Sequence, residues 1–239
     1  MHYLKPLGYR VALTGKSHVG PKGVFPFEKP EGQGLVQAAD NFFKECQGRD
    51  DPFCIFFCSR EPHTPWDQGD PSRYDASQLK LPPYFVDTPE TREAMTRYLA
   101  EITVFDEEVG GILAQLDRHG FRDNTLVIVV SEQGSSMPFA KWTCYDSGLQ
   151  SALIARWPGK IQPGTVNNAM IEYVDLVPTY VEAAGGTPAP VLDGKSLLPV
   201  FAGKQEHKDH VFGEMTTRGI INGSPTFGIR SVRSKDFKY

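Results

Sequence analysis

Three short apolar runs constrain the fold of this chain more than any other feature. They are FCIFFC (53–58), TLVIVV (125–130) and ALIARW (152–157), and a further candidate strand is RVALTG (10–15). The runs lack strict alternation of apolar and polar residues, which is typical of strands covered on both faces. A sheet built from such strands needs helices packed against it.

The segments between these runs carry helical patterns. Helices are predicted over 35–46 and 175–184, and the longest extends from Thr88 to about Gly120. Thr88 is suited to the N-cap and Pro89 to the first helical position. Apolar residues then recur every three or four positions: Met95, Leu99, Ile102, Phe105, Val109, Ile112 and Leu116. This spacing predicts a long amphipathic helix.

The alternation of helix and strand predicts a layered α/β fold, with a mostly parallel central sheet and helices on both faces. In such sheets, ligands bind beyond the carboxyl ends of the strands. The loops that follow three of the predicted strands are KSHVGP, SREPHTPW and SEQGSSMPFAKW. Each carries polar groups suited to an anion or a metal, so the site is expected there.

Composition excludes some classes of partner. The net charge of -4 gives no bulk attraction to nucleic acid or acidic membranes, so anion binding must be local. No apolar run approaches the roughly 18 residues of a membrane span. The four cysteines, Cys46, Cys54, Cys58 and Cys144, fit neither a dense disulfide framework nor a zinc pattern. They are interpreted as buried thiols.

Lys16 and His18 are two residues apart, so on an extended backbone both side chains leave from one face. A fixed charge beside a titratable imidazole suits sulfate or phosphate. His63 lies between prolines, directly after a predicted buried strand. The alternative for all three residues is a solvated loop without a ligand.

Glu132 and Gln133 follow another predicted strand and offer a carboxylate and an amide oxygen, ligands that suit a hard cation. Lys141 comes eight residues later, past a turn that could fold it back over the same strand end. The alternative here is again a set of solvated polar residues.

Motifs along the chain resemble the sulfatase family of the alkaline-phosphatase-like superfamily. GYRVALTGKSHVGP resembles the second sulfatase signature, and PHTP, DEEVGGILAQLDRHGFRDNTLVIVVSEQG and KWTCYDSGLQSALIARWPGK follow in family order. HVGPKGVFPF, LPPYFVDTPETR, GKSLLPVF and IRSV are similar to N-sulfoglucosamine sulfohydrolase (sulfamidase) members in particular. The resemblance covers nearly the whole chain and implies the alkaline-phosphatase-like fold.

The resemblance also implies an activity and roles for residues. The activity is hydrolysis of sulfuric esters or sulfamates on sulfated or N-sulfated sugars of the glycosaminoglycan type. Lys16 and His18 match residues that contact the sulfate and the catalytic hydrate, and His63 matches a sulfate-binding histidine. Lys141 matches a basic residue that binds the sulfate. Either histidine could donate the proton to the leaving group.

The implied metal is one calcium ion. Glu132 and Gln133 occupy the place of the family's Asp-Asn or Asp-His ligands, and two further aspartates complete the family's site. The implied nucleophile is a formylglycine made from a C/S-x-P-x-R motif, which this sequence lacks.

The missing motif, together with a final hairpin strand that the family continues after FKY, leads to the expectation that the chain is truncated at both ends. Residues 1–239 are expected to be a sulfatase catalytic domain without its nucleophile segment, inactive alone, with a C-terminal sheet region starting at about 205. The expected partner is a sulfated sugar or other small sulfated substrate, a homo-oligomer is left open, and neither nucleic acid nor a membrane is expected. The chain itself gives no location, and the resemblance implies a periplasmic, secreted or lysosome-like one. The alternatives are a phosphonate or phosphodiester hydrolase of the superfamily and a non-catalytic anion-binding remnant.

Overall fold

The computed structural model describes residues 1–216 and 228–239. It contains two compact units. Unit 1 comprises Met1 and Arg10–Phe121, and unit 2 comprises His2–Tyr9 and Arg122–Tyr239. In the described ranges, no helix is both long enough and apolar enough to cross a membrane.

Unit 1 is built around a strand–helix–strand motif. Strand β1 (Arg10–Gly15), helix α1 (Leu35–Cys46) and strand β2 (Phe53–Cys58) have the bounds that the sequence predicts. β1 and β2 pair in parallel, from Arg10 opposite Phe53 to Gly15 opposite Cys58. The parallel direction follows from α1, because a helical crossover returns the chain to the same end of the sheet.

Aromatic side chains hold α1 against this strand pair. Phe42 and Phe43 of α1 are almost completely buried. Both rings lie 5.6 Å from the Phe53 ring, measured between centroids. Burying a side chain of this size stabilises the fold by about 1.5–3 kcal/mol. The helix and the sheet therefore form one core.

Helix α2 (Pro89–Arg118) confirms the predicted start of the long helix, because the Thr88 hydroxyl accepts the Thr91 N–H at 3.3 Å. The burial along this helix differs from the apolar pattern. The residues that are completely or almost completely buried are Thr96, Ala100, Glu101 and Leu116. Leu116 is the only member of the predicted apolar stripe among these buried residues. The other members of the stripe are half-buried. Glu101 is drawn inward because its carboxylate binds backbone N–H groups.

The described residues of unit 2 form two strand pairs, both antiparallel. β3 (Val127–Val130) pairs with β4 (Leu153–Arg156), and β5 (Val211–Met215) pairs with β6 (Ile229–Arg233). Its helices are α3 (Asp146–Leu149), α4 (Leu176–Ala183) and α5 (Leu198–Phe201). The β5–β6 pair lies in the region where the sequence predicts the start of a C-terminal sheet.

The strand arrangement differs in part from the predicted mostly parallel sheet. Among the described residues, the strands form three two-stranded sheets, and only β1–β2 is parallel. β3 and β4 are antiparallel, and the one-turn helix α3 lies in the loop between them. The apolar composition of a strand does not fix its direction, which depends on the path of the connecting loop.

The cysteines are free thiols, as predicted, but only two are buried. Cys46 and Cys144 are buried, whereas Cys54 and Cys58 are half-buried in β2. Burial raises the pKa of Cys54 to about 11. This thiol therefore stays protonated near neutral pH and is a poor nucleophile.

Asp175, immediately before α4, is fully buried and joins three segments of unit 2. Its carboxylate accepts the backbone N–H groups of Glu172 and Lys195, both at 2.9 Å, and lies 2.8 Å from Lys208 Nζ. His207 Nε2 is 3.2 Å from the other carboxylate oxygen. Burial alone would raise the pKa of Asp175, but the Lys208 ammonium and the two N–H groups lower it below its ordinary value.

Replacing Asp175 with alanine is expected to lower the free energy of unfolding by about 3 kcal/mol or more, because two N–H groups and a buried cation lose an acceptor. Denaturant titration at pH 7 measures the change. Asp193→Ala, at an exposed position between α4 and α5, is the control and should cost less than about 0.5 kcal/mol. Equal losses in the two variants would contradict the role assigned to Asp175.

Candidate functional site

The carboxyl ends of β1 and β2 place two of the predicted site loops at one edge. The Lys16 N–H donates to the Cys58 carbonyl at 2.8 Å, directly after Gly15 pairs with Cys58. A Cβ at Gly15 would lie 2.1 Å from that carbonyl oxygen, so only glycine fits here. The loops that carry Lys16, His18 and His63 therefore begin side by side.

The side chains on these two loops are accessible to a ligand. Lys16 is half-buried, and His18 and His63 are exposed. His63 Nδ1 lies 2.6 Å from the Thr64 carbonyl oxygen. Since a carbonyl only accepts, Nδ1 carries the hydrogen and donates, which leaves Nε2 available for a ligand or for proton transfer.

A groove of about 500 Å³ lies at the opposite, amino end of β1 and is lined in part by Arg10, Glu28 and Glu45. Arg10 lies 2.7 Å from Glu28 and 3.1 Å from Glu45, measured between side-chain N and O atoms. Both carboxylates neutralise this guanidinium, while Lys29 and Lys44 also line the groove. The carboxyl edge is the better candidate site because ligands of such sheets bind beyond the carboxyl ends of the strands.

Glu101 is a residue that sequence reasoning missed. Its carboxylate accepts the N–H groups of Asp67 and Gln68, both at 2.8 Å, and thereby ties the loop after β2 to α2. Glu61, two residues before His63, lies beside it. Burial raises the pKa of Glu61 from 4.5 to about 7, and its hydrogen bond to Glu101 and the negative charges of Glu101, Glu108 and Asp67 act in the same direction. Glu61 therefore holds its proton up to near neutral pH.

In the sequence, Glu101 is a single acidic residue next to the apolar stripe of a helix. The pattern alone does not distinguish a solvated glutamate from a buried one. The loop residues that Glu101 binds lie more than 30 positions away.

In unit 2, the loop after β3 folds back on itself. The Gly134 N–H donates to the Gly148 carbonyl at 3.0 Å, and the Lys141 N–H donates to the Ser135 carbonyl at 2.9 Å. A Cβ at Gly134 would lie 1.8 Å from the Ser147 carbonyl oxygen, so this close approach requires glycine. The loop thereby returns Lys141 toward the strand end that carries Glu132 and Gln133.

Tyr173 lies beside the predicted metal ligands and was also missed by sequence reasoning. Its hydroxyl donates to the Ser131 carbonyl and contacts the Ser151 hydroxyl at 2.5 Å. Burial raises the pKa of Tyr173, and the negative charge of Glu132 adds to that effect. Tyr173 thus supports the backbone immediately before Glu132.

Glu132 and Gln133 do not make a calcium site by themselves. Glu132 is exposed and Gln133 is half-buried. Within residues 1–216 and 228–239, no group of three or more His, Cys, Asp or Glu side chains could hold a metal ion. Calcium prefers six to eight oxygen ligands, and this pair offers two oxygen-bearing side chains. The described residues do not fit calcium without further ligands.

The predicted site residues thus fall into two sets. Lys16, His18 and His63 share the β1–β2 edge of unit 1, while Glu132, Gln133 and Lys141 share one loop of unit 2. The ligands assigned to the two sets stay predictions.

Comparison with known proteins identifies related sequences along the whole chain. A family model described as Sulfatase matches residues 1–186, and one described as N-sulphoglucosamine sulphohydrolase, C-terminal, matches residues 134–239. An ulvan-active sulfatase of Formosa agariphila is 34% identical over 99% of this chain and 48% of its own length. The N-sulphoglucosamine sulphohydrolase of Homo sapiens is 25% identical over 98% and 55%. The chain spans about half the length of these relatives.

Solved structures share the fold. One, in complex with its substrate D-glucosamine-2-N,6-O-disulfate, superposes with a TM-score of 0.75 at 18% identity, over 99% of this chain and 71% of its own. A 2-O GAG sulfatase superposes with a TM-score of 0.70 at 18% identity, over 99% and 63%. These similarities confirm the predicted alkaline-phosphatase-like fold class.

Glu61→Gln is expected to change how stability depends on pH. Because folding raises the pKa of Glu61 from 4.5 to about 7, its contribution to stability is complete below pH 4.5 and is lost as the pH rises through 7. Glutamine stays neutral over this pH range, so the variant does not lose stability in this way. Melting temperatures measured from about pH 5 to pH 8 should therefore fall less steeply for the variant than for the unmodified protein.

Glu31→Gln, at an exposed position in unit 1, is the control for this experiment. It should keep the pH dependence of the unmodified protein. Parallel curves for Glu61→Gln and Glu31→Gln would show that Glu61 does not hold the proton.

Proposed function

Since the chain belongs to the sulfatase family, we propose that the complete protein hydrolyses sulfate esters or sulfamates on sugars. The observation that carries the proposal is the match of the Sulfatase family model to residues 1–186, a range that contains all six predicted site residues. The named relatives add to it, because they include an ulvan-active sulfatase and a sulphoglucosamine sulphohydrolase.

In this proposal, Lys16 of unit 1 and Lys141 of unit 2 are each assigned to sulfate binding, as the resemblance of their motifs to the family implies. An ammonium is a compact charge that suits a sulfuryl group. Charge that develops on the sulfuryl oxygens in the transition state is stabilised by groups held in place beforehand. The backbone hydrogen bonds of Lys16 to Cys58 and of Lys141 to Ser135 supply that fixed position.

His63 is the better oriented of the two histidines for protonating the leaving amine or alcohol. Its Nδ1 is held by the Thr64 carbonyl, so Nε2 points away from the backbone contact and can carry the transferred proton. We assign His18, which is exposed on the neighbouring loop, to contact with the sulfate and the attacking hydrate.

We further propose that the nucleophile is a formylglycine supplied by residues outside these 239. The sequence contains no C/S-x-P-x-R motif, and Cys54 is protonated at neutral pH. The chain by itself is therefore expected not to turn over substrate. We also propose that the complete protein binds calcium. Glu132 and Gln133 would be two of its ligands, and the others would come from outside the described residues.

The substrate class is tested by assaying the complete protein against sulfate esters, sulfamates and phosphate esters of matched leaving groups. Higher kcat/KM for a sulfate ester or a sulfamate is the expected result. A preference for phosphate monoesters, phosphodiesters or phosphonates would instead place the protein with other hydrolases of the superfamily. No activity on any of them would support a non-catalytic anion-binding role.

Lys16→Ala and Lys141→Ala are each expected to lower kcat/KM of the complete protein by about 10²–10³-fold, because each removes a cation that stabilises the transition state. Folding should be retained, since both side chains are only half-buried. Kinetics and melting temperatures measure the two effects. The controls are Lys44→Ala and Lys160→Ala, exposed positions in unit 1 and unit 2, and similar kinetics in all four variants would remove both lysines from the site.

A further inference from the structure

The loop that carries Lys141 exposes large aromatic side chains. Phe139, Trp142 and Tyr145 are 53%, 47% and 59% exposed. The Phe139 and Tyr145 rings meet edge to face, with centroids 6.1 Å apart. Lys141 Nζ lies 5.3 Å from the centroid of the Trp142 ring. Exposed apolar groups clustered beside a polar group mark binding surfaces in soluble proteins.

The backbone that presents these rings is strained. Phe139 and Trp142 have φ values of 62° and 67°, and they are the only non-glycine residues with positive φ in the described parts of the chain. A bulky residue in this region is rare, because its side chain crowds the backbone there. Strain of this kind is common where the backbone holds a ligand-binding side chain in place.

Local hydrogen bonds maintain this conformation. The Thr143 hydroxyl lies 3.1 Å from the Phe139 carbonyl oxygen and 2.8 Å from the Ala140 carbonyl oxygen. The Ser147 hydroxyl donates to the Phe139 carbonyl at 2.5 Å. These bonds offset the strain, so the structure retains a turn whose effect is to place aromatic rings in solvent.

The chemistry of the surface selects its ligand. An indole ring provides a flat apolar face, and the adjacent ammonium attracts an anionic group. Among the described residues, no carboxylate forms an ion pair with Lys141. A ligand that fits has an apolar ring face and a negative substituent on the same ring, which describes a sulfated pyranose.

We propose that Trp142, together with the Phe139–Tyr145 ring pair, forms a platform for a sugar ring of a sulfated saccharide whose anionic group binds at Lys141. The proposal rests on the proposed function and extends it from the sulfate to the sugar. It predicts that the rings contribute to binding of the saccharide and contribute little to binding of sulfate alone.

The test uses Trp142→Gly and Phe139→Gly in the complete protein. Glycine accepts positive φ without strain, so each variant removes a ring and keeps the backbone. We expect dissociation constants for a sulfated oligosaccharide to rise about tenfold or more, which corresponds to about 1.4 kcal/mol. The affinity for inorganic sulfate should change less than about threefold, and melting temperatures should be unchanged or higher. Calorimetry and thermal melting measure these quantities.

Phe212→Ala is the matched control, because Phe212 is 70% exposed on β5 in the same unit. It should leave both affinities unchanged. Equal loss of affinity for saccharide and sulfate in Trp142→Gly would overturn the platform and leave the ring as a support for Lys141. A clear fall in melting temperature would show that another part of the protein covers the rings, and a change in oligomeric state would show that a second copy does.

Failure of the platform and failure of the proposed function give different results. If the unmodified protein binds the sulfated oligosaccharide but the glycine variants bind it equally well, only the platform is wrong. If the unmodified protein neither binds sulfate nor cleaves a sulfate ester or sulfamate, the proposed function is wrong and the platform has no substrate.

Discussion

The parallel hydrogen-bond ladder between β1 and β2 is the interaction on which the candidate site of unit 1 depends. It ends with Gly15 opposite Cys58 and continues into the bond from Lys16 to the Cys58 carbonyl. A shift of one residue would place a side chain where only glycine fits and would turn every side chain of the strand to the other face. The buried rings of α1 add a second constraint, because they pack against Phe53 in the observed register.

Two buried carboxylates organise loops in their own units, and they do so in different electrostatic settings. Asp175 faces the Lys208 ammonium and remains ionised well below neutral pH. Glu101 faces other acidic groups, so the proton on its neighbour Glu61 replaces a cation. Since unpaired buried charge is costly, each carboxylate also accepts two backbone N–H groups. The loop that carries His63 therefore contains Glu61, a group whose protonation changes near physiological pH.

Unlike the two buried carboxylates, the loop after β3 exposes apolar rings at a cost in stability. Gly134 allows a close backbone contact that closes the loop, while Phe139 and Trp142 adopt a conformation that costs free energy. The hydroxyls of Thr143 and Ser147 offset part of that cost. This conformation costs free energy and leaves apolar rings in solvent. Both features favour a role in binding over a role in stability.

Local signals in the sequence determined the helices and strands of unit 1 closely. The bounds of β1, α1 and β2 match because each segment has an uninterrupted apolar or amphipathic pattern between turn residues. The start of α2 matches because Thr88 caps it and Pro89 suits its first position. Ligands bind at the carboxyl ends of strands in such sheets. The sequence therefore predicts the loops of Lys16 and His63 as part of the site.

Only the tertiary structure decided which strands pair, which polar groups are buried and which backbone angles are strained. The antiparallel pairing of β3 with β4, the burial of Glu101 and Asp175 and the positive φ of Trp142 depend on partners distant in sequence or on competing local bonds. The sequence by itself determined the order of elements and the residues at their ends, because propensity and periodicity act over a few neighbours. The structure decided the contacts, because their free energy arises only when segments far apart in the chain meet.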